Sequence, residues 1–513
     1  MRRAALLDYI GAHRQAYDLI VIGGGASGAG IAWDAASRGL ATLLVERDDF
    51  GQGTSSRSTK LIHGGVRYLA QGQLGLVHEA LGERQRLLAN APDHVRPLSF
   101  LIPTTGVFEH LKYRLGLVLY DALAGARNTA PAGVPSGADA RKVAPFLRTG
   151  CAGLLRYTDA QFDDARLLLA VLGRAVAMGA CVLNYARVVG LRKRHNGRID
   201  GIVFEDRADG KTHEIAGTAV INAGGPQVAE IAALDSRRTA PAITLSRGSH
   251  LVVSREFWPG PDALLMPRTP DGRVMFAIPW HDRLLLGTTD VPTGADEAVR
   301  PSLAEVEQIL AVTARYLTRP PQVRDVLACF AGVRPLAGSA RGGGTARASR
   351  EYQLSIADSG MISLYGGKWT TFRRMAEACV SAAVKHHRLS AGPSRTATDR
   401  LPARGSLVPE PLRDAHASLA AATDDSTLVP GFAYRVSDAR IGIHQEMARS
   451  VEDLLARRTR ALFLDAGAAL AVAPKVAALL ARELGHDEAW VQREIAAFTK
   501  TAEAYQLPGA ARH

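Results

Sequence analysis

The chain has 513 residues, 62 of them basic and 50 acidic, for a net charge of +12; that length calls for two or three domains rather than one simple core. A hydrophobic fraction of 47% beside 22% charged residues argues against long disorder, and the cationic balance favours anionic partners without choosing among phosphorylated substrates, acidic lipids and nucleic acid. Four widely spaced cysteines, Cys151, Cys181, Cys329 and Cys379, form no CxxC pair, which argues against a zinc site and a disulfide framework and fits a reducing compartment.

At the N-terminus Arg2 and Arg3 precede no long apolar run, and Asp8 comes early, so no signal peptide is expected. No charge-free stretch of about 20 apolar residues occurs. The nearest, Ala466 to Ala481, is interrupted by Pro474 and Lys475. The chain is expected to rest on a membrane at most.

The first strong pattern is Tyr17 to Ile22, an apolar, β-branched run that stops at Gly23-Gly24-Gly25-Ala26-Ser27-Gly28. A helix-compatible stretch follows from Ala26 to Arg38, then a second buried strand, Ala41 to Val45, ending on Glu46. That order is a βαβ dinucleotide fingerprint. Gly23 permits the turn, Gly25 a close backbone approach to a pyrophosphate, and Gly28 close helix–strand packing. Free N–H groups at the helix start, including those of Ala26 and Ser27, face the phosphates, and Glu46 suits a ribose 2′-OH. Alone the fingerprint admits NAD as readily as FAD.

Residues 51 to 68 hold many Gly, Ser and Thr and end in His63, Arg67 and Tyr68, too long and polar for a simple connector. This segment reads as a wrap around the cofactor with charge at its reacting end. Helical spacing predicts helices over 73–90 and 109–124. The second carries Lys112 and Arg114 beside Leu115, Leu117, Val118 and Leu119; it reads as a packed amphipathic helix, or as one pressed on lipid headgroups. Residues 126–140 read as a loose connection. Asp163 and Asp164 open a further helix.

Strands are predicted over 181–185, 188–192, 199–205 and 218–222, the last running into Ala223-Gly224-Gly225, a second close approach to the cofactor. Residues 240–330 look like an antiparallel substrate-binding domain, with strands at 243–245, 250–253, 273–278 and 284–287 and one helix, 302–317. A hairpin over 352–364 ends in Gly366-Gly367-Lys368-Trp369-Thr370-Thr371 before a helix at 372–387. Beyond residue 390 an α-helical domain is expected.

Six stretches in order resemble FAD-dependent glycerol-3-phosphate dehydrogenase, in the D-amino-acid-oxidase-like flavoprotein superfamily. They are the fingerprint, Thr54 to Tyr68, Gln161 to Arg166, Gly287-Thr288-Thr289-Asp290, Gly332-Val333-Arg334-Pro335-Leu336, and Gly366 to Thr371; Val451 to Arg460 also looks like that family's helical domain. The resemblance implies an α/β fold with a Rossmann-like FAD-binding domain (17–100, 151–235, 330–388), an antiparallel β-sheet substrate domain (240–330 with 101–150) and an α-helical C-terminal domain (390–513). It also implies oxidation of sn-glycerol 3-phosphate to dihydroxyacetone phosphate on FAD, electrons passing to membrane quinone. A peripheral place on the inner face of the cytoplasmic membrane and, often, a homodimer belong to the same expectation. Many members carry Thr and Trp where Gly224 and Gln227 stand here, which removes any side-chain contact made at those positions.

Cofactor contacts are expected from Gly23, Gly25, Ala26, Ser27, Gly28, Glu46, Arg47, Thr54, Ser55, Ser58, Lys60, Leu61, His63, Gly65, Val188, Ala223, Gly224, Lys368 and Thr370. Arg67 and Arg334 suit a phosphate through their planar forks, and Lys368 with the N–H groups near Thr370 and Thr371 suits the flavin N1–C2=O edge. For the base His63, His250 and Lys368 all stand open, with His63 ahead for its place in the loop and His250 held as a substrate-domain contact. Tyr68 contacts substrate or packs. An oxidase delivering electrons to O₂ is the alternative. Nucleic acid is not an expected partner, because the basic residues are dispersed without interleaved aromatics.

Overall fold

The computed structural model describes residues 3–12, 16–69, 72–125, 129–148, 153–236, 240–269, 272–295, 297–338, 351–413 and 426–507, with the backbone alone for Arg67 and Tyr68. Tyr17–Ile22 lies at the centre of the first sheet, buried on both faces apart from half-buried Asp18, whose carboxylate accepts the Ala41 N–H at 2.9 Å. It pairs in parallel with Thr42–Val45 on one side and Thr212–Asn222 on the other. Cys181–Leu183 and Ile362–Gly366 extend the sheet in parallel, and Tyr352–Ile356 closes one edge antiparallel. Helix Ala26–Ser37 packs against helices Asp164–Ala177 and Phe372–His387. Gly30 makes the second contact close: a Cβ there would stand 2.9 Å from the Phe372 ring.

Among the described residues the second sheet has nine strands. Its long spine, Ile243–Ser254, pairs with Val326–Ala337, Arg283–Gly287 and Val291–Pro292. Beyond Arg283–Gly287 follow Met275–Trp280, Ala263–Met266, Val95–Thr104, Gly153–Phe162 and Leu61–Ile62. One pairing departs from the antiparallel expectation: Val95–Thr104 runs parallel to Ala263–Met266. The spine is one strand where two were predicted. Gly248 does not break it, because its backbone stays extended and pairs with Gly332. Strands absent from the prediction include Val95–Thr104, Gly153–Phe162, Ala263–Met266 and Val326–Ala337; Pro97 and Pro103 mask the first.

The helix predicted over 302–317 spans Leu303–Ala314, started by a Ser302–Glu305 capping box. Helix Val107–Ala124 leaves Val107, Phe108, Leu111, Leu115, Val118 and Leu119 exposed, with Leu117 and Tyr120 turned inward. Within the stretch read as a loose connection, Gly137–Val143 is a short helix capped by Ser136.

The C-terminal helices, among them Val436–His444, Ala466–Leu484 and Glu488–Ala502, share one apolar core with the second sheet. Phe463 packs edge-on against both Phe330 of that sheet and Tyr505. Helix Ala466–Leu484 runs through Pro474 instead of stopping there. At the other terminus, helix Arg3–Gly11 buries Leu6 and Ile10 in the first core. Cys181, Cys329 and Cys379 are buried and unbridged; Cys151 lies outside the described residues.

Candidate active site

The glycine turn is built by contact with its neighbours. Gly23 takes φ +111°, and a Cβ on it would sit 2.6 Å from the Ala223 carbonyl oxygen, so the two glycine turns abut. A Cβ on Gly28 would collide with the Gly23 carbonyl oxygen and stand 3.0 Å from its carbon. At Gly25 the neighbour is the Ser55 hydroxyl, 3.0 Å from the Cβ position. That hydroxyl accepts the N–H of Ala26 at 2.9 Å, bringing the polar loop onto the helix start.

Glu46 ends its strand as predicted. Its carboxylate accepts the N–H groups of Gly24 at 2.6 Å and Asp48 at 2.9 Å, tying the acid to the turn. Burial raises its pKa. Arg47 beside it is exposed and pairs with Asp48 at 2.9 Å. Val188, half-buried, lies two residues past Ala186, whose N–H donates to the Glu46 carbonyl. Asn222 Oδ1 accepts the Gly224 N–H at 3.1 Å and holds the second turn. A Cβ on Gly224 would run into Ile231, so any side chain there would require Ile231 to move.

From the cradle the loop leads toward the second sheet. The Trp369 indole N–H donates to the Ser55 carbonyl at 2.9 Å, and the Thr54 hydroxyl donates to the Val333 carbonyl. The Thr370 hydroxyl accepts the His63 N–H at 3.2 Å. Lys368 is half-buried and extended at the start of the Trp369–Thr371 turn, directly after Gly366 and Gly367, whose φ values are +78° and +82°. Three segments far apart in sequence, 54–65, 333–334 and 366–371, therefore meet. Gly65, at φ +85°, turns the chain into the short helix Val66–Leu69. That helix carries Arg67 and Tyr68, whose side chains lie outside the described residues.

Arg334 stands over Gly248, where a Cβ would be 2.6 Å from its guanidinium carbon. It donates to the Thr288 hydroxyl at 3.1 Å and lies 3.6 Å from Asp290. Asp290 is held in turn by Arg273 at 2.9 Å and by the Ser246 hydroxyl. Glu305 accepts from both Ser249 and Thr289 at 2.7 Å, locking the adjacent strands.

Several expected contacts point elsewhere. Lys60 is fully buried: its ammonium donates to Asp164 at 2.6 Å and to the Ser56 carbonyl at 2.8 Å. Burial pushes its pKa down to about 7 against the pull of Asp164. Ser58 likewise donates its hydroxyl to Asp164 at 2.7 Å. Side chains lining a cofactor bed keep surface toward it, so fully buried Lys60 belongs to the loop's inner face, while half-buried Ser58 has its hydroxyl on that face. Leu61 is 8% exposed and sits in the strand paired with Gln161. His250 also turns inward. It is 1% exposed, stacked on Phe330, with Nε2 3.0 Å from the Thr59 hydroxyl. Burial first, then the charges of Arg334 and Lys60, hold its pKa well below the ordinary histidine value, so the ring is neutral.

A brace that no local pattern signals lies beneath Gly64. Its N–H donates to the Tyr120 hydroxyl at 2.9 Å; that hydroxyl donates to Asp159 at 2.8 Å, which Arg84 pairs at 2.6 Å.

The cradle, the terminal acid and the loop fit an adenine dinucleotide, and the fold is that of an FAD-dependent oxidoreductase. The family model for FAD dependent oxidoreductases matches residues 18–373, and that for the C-terminal domain of alpha-glycerophosphate oxidase matches residues 361–491. Mouse mitochondrial glycerol-3-phosphate dehydrogenase is 37% identical over 94% of this chain and 73% of its own length. A probable mitochondrial glycerol-3-phosphate dehydrogenase of Dictyostelium discoideum is 36% identical over 90% of this chain and 80% of its own. The solved glycerol-3-phosphate dehydrogenase of Bacillus halodurans, complexed with FAD, superposes with a TM-score of 0.76 at 27% identity, covering 100% of this chain and 99% of that one. The chain belongs to the FAD-dependent glycerol-3-phosphate dehydrogenase family, and its cofactor is FAD.

Proposed function

We propose that the chain oxidises sn-glycerol 3-phosphate to dihydroxyacetone phosphate and passes the electrons to membrane quinone. The observation that carries this reading is the placement of Arg334: a guanidinium oriented by Thr288 and Asp290, on a strand whose Val333 carbonyl holds the cofactor loop. A planar fork fixed in this way suits a phosphate dianion. Arg67, just beyond Gly65, is the second anchor in this proposal.

Bound FAD supplies the acceptor for a hydride from the substrate's C2. The protein's task is to hold C2 against it and to take the hydroxyl proton. His63, half-buried with its backbone pinned by Thr370, is the proposed base; His250, sealed and neutral, supports the wall through Thr59. Lys368 and the start of the helix behind it put positive charge where the cofactor gains electrons.

Helix Val107–Ala124 supports peripheral membrane contact in this proposal. Phe108 is 91% exposed and Leu115 61%, with Lys112 and Arg114 between them. Among the described residues no helix is long and apolar enough to cross a membrane. The test is turnover of glycerol 3-phosphate with a soluble quinone analogue, product and peroxide both being measured. Stoichiometric dihydroxyacetone phosphate with little peroxide supports the proposal. Peroxide equal to product under air, without use of the quinone, favours the oxidase alternative.

A further inference from the structure

Arg457, Arg458 and Arg460 belong to the C-terminal helical segment, yet their guanidinium groups end among residues of the cofactor loop. Arg457 donates Nε to Asp49, and Arg458 donates Nη2 to the same carboxylate at 2.9 Å. Asp49 is fully buried and lies just past Glu46. Arg460 donates Nη2 to the Ser56 carbonyl at 2.9 Å and to Asp164 at 3.0 Å. Its guanidinium carbon lies 4.2 Å from the Phe463 ring centroid and 5.3 Å from that of Trp280. Ser58 and Lys60 close on the same Asp164 from the loop side.

The loop thus has two faces. Thr54 and Ser55 meet the glycine cradle, Trp369 and Val333, whereas Ser56, Ser58 and Lys60 are gripped from behind. Lys60 and Arg460 both hold left-handed backbones, φ +62° and +69°, which side chains other than glycine adopt at a cost. Removing one partner from a buried ion network leaves the others uncompensated, so the loop would have to rearrange to solvate Asp164. We propose that Arg460, seconded by Arg457 and Arg458, is a positioning residue for bound FAD: the C-terminal segment grips the cofactor loop from behind and so sets how tightly the cofactor is retained. It does this without touching the cofactor itself.

The test compares Arg460→Met with Arg440→Gln. Arg440 pairs with Glu483 at 3.1 Å, both within the C-terminal segment, and among the described residues this pair shares no ion-pair partner with Arg457, Arg458 or Arg460. FAD dissociation constants are measured on flavin-stripped protein at a temperature where circular dichroism shows both variants folded. Arg460→Met should weaken FAD binding about tenfold or more, while Arg440→Gln leaves FAD affinity within about twofold. At saturating FAD the KM of Arg460→Met for glycerol 3-phosphate should match wild type. Unchanged FAD affinity in Arg460→Met, or equal weakening in both variants, overturns the proposal. If Arg460→Met does not fold, Arg460→Lys, which keeps the charge but loses the two-pronged contact, is judged by the same criteria.

Discussion

Gly248→Ala is the sharpest probe of Arg334. The added Cβ would stand 2.6 Å from the guanidinium carbon and 2.7 Å from Nη1, against an ordinary carbon contact of about 3.5 Å. The head group must therefore retreat by about 1 Å, a distance that takes a hydrogen bond of about 2.9 Å out of range. The backbone at 248 is extended within a paired strand, so alanine fits without strain, and the atoms it meets end a flexible side chain. Folding and FAD content should survive. Losing one charge-assisted bond to the substrate phosphate costs about 2 kcal/mol, or about a thirtyfold rise in KM for glycerol 3-phosphate. Steady-state kinetics with a quinone analogue, beside the flavin absorbance of the purified variant, read both quantities. A KM within about twofold of wild type at full flavin content would show that Arg334 does not hold the substrate.

Gly28→Ala should abolish FAD binding, because its Cβ meets the fixed carbonyl of Gly23 and not a movable side chain; the purified variant should be colourless. Lys368→Ala should keep its flavin while turnover falls about a hundredfold, and unchanged turnover would remove Lys368 from the chemistry. Burial alone would raise the carboxyls of Asp49, Asp163 and Glu446, but Arg458 with Arg457, Arg460 with His281, and Arg166 respectively outweigh it, bringing Asp49 to about 2 and the others below their ordinary range. Each depressed acid contributes stability that is complete above its unfolded pKa and lost as pH falls toward the folded one. Asp49 alone should cost about 1 kcal/mol by pH 3; a urea-denaturation free energy that is flat from pH 6 to 3 would contradict this. Phe108→Ser with Leu115→Ser should reduce sedimentation with anionic vesicles about tenfold while leaving activity on the soluble quinone analogue intact, and undiminished sedimentation would move the membrane contact elsewhere.

The parts legible in the sequence are those specified by near neighbours. The glycine turn, the helix that follows it, the strand ending on Glu46 and the turn before Phe372 each depend on residues a few positions apart, so spacing reveals them. The loop 51–68 was legible as more than a connector but not in its two faces. Whether Ser58 and Lys60 point to FAD or to Asp164 depends on a residue more than a hundred positions away, and on Arg460 from the C-terminal segment. The inward turn of His250 depends likewise on Phe330 and Thr59, which strand pairing and loop closure bring together. The brace Tyr120–Asp159–Arg84 and the Asp290–Arg273 support of Arg334 had no signal of any kind, because each unites elements with no shared period.

The central claim is that this site takes a hydride from C2 of a phosphorylated polyol, and anaerobic bleaching of the bound flavin tests it most directly. Glycerol 3-phosphate should bleach the flavin absorbance completely and within the turnover time, while glycerol, lacking the phosphate that Arg334 would hold, and lactate should leave it yellow. Bleaching by lactate or glycerol at the same rate, or none by glycerol 3-phosphate, would contradict the account.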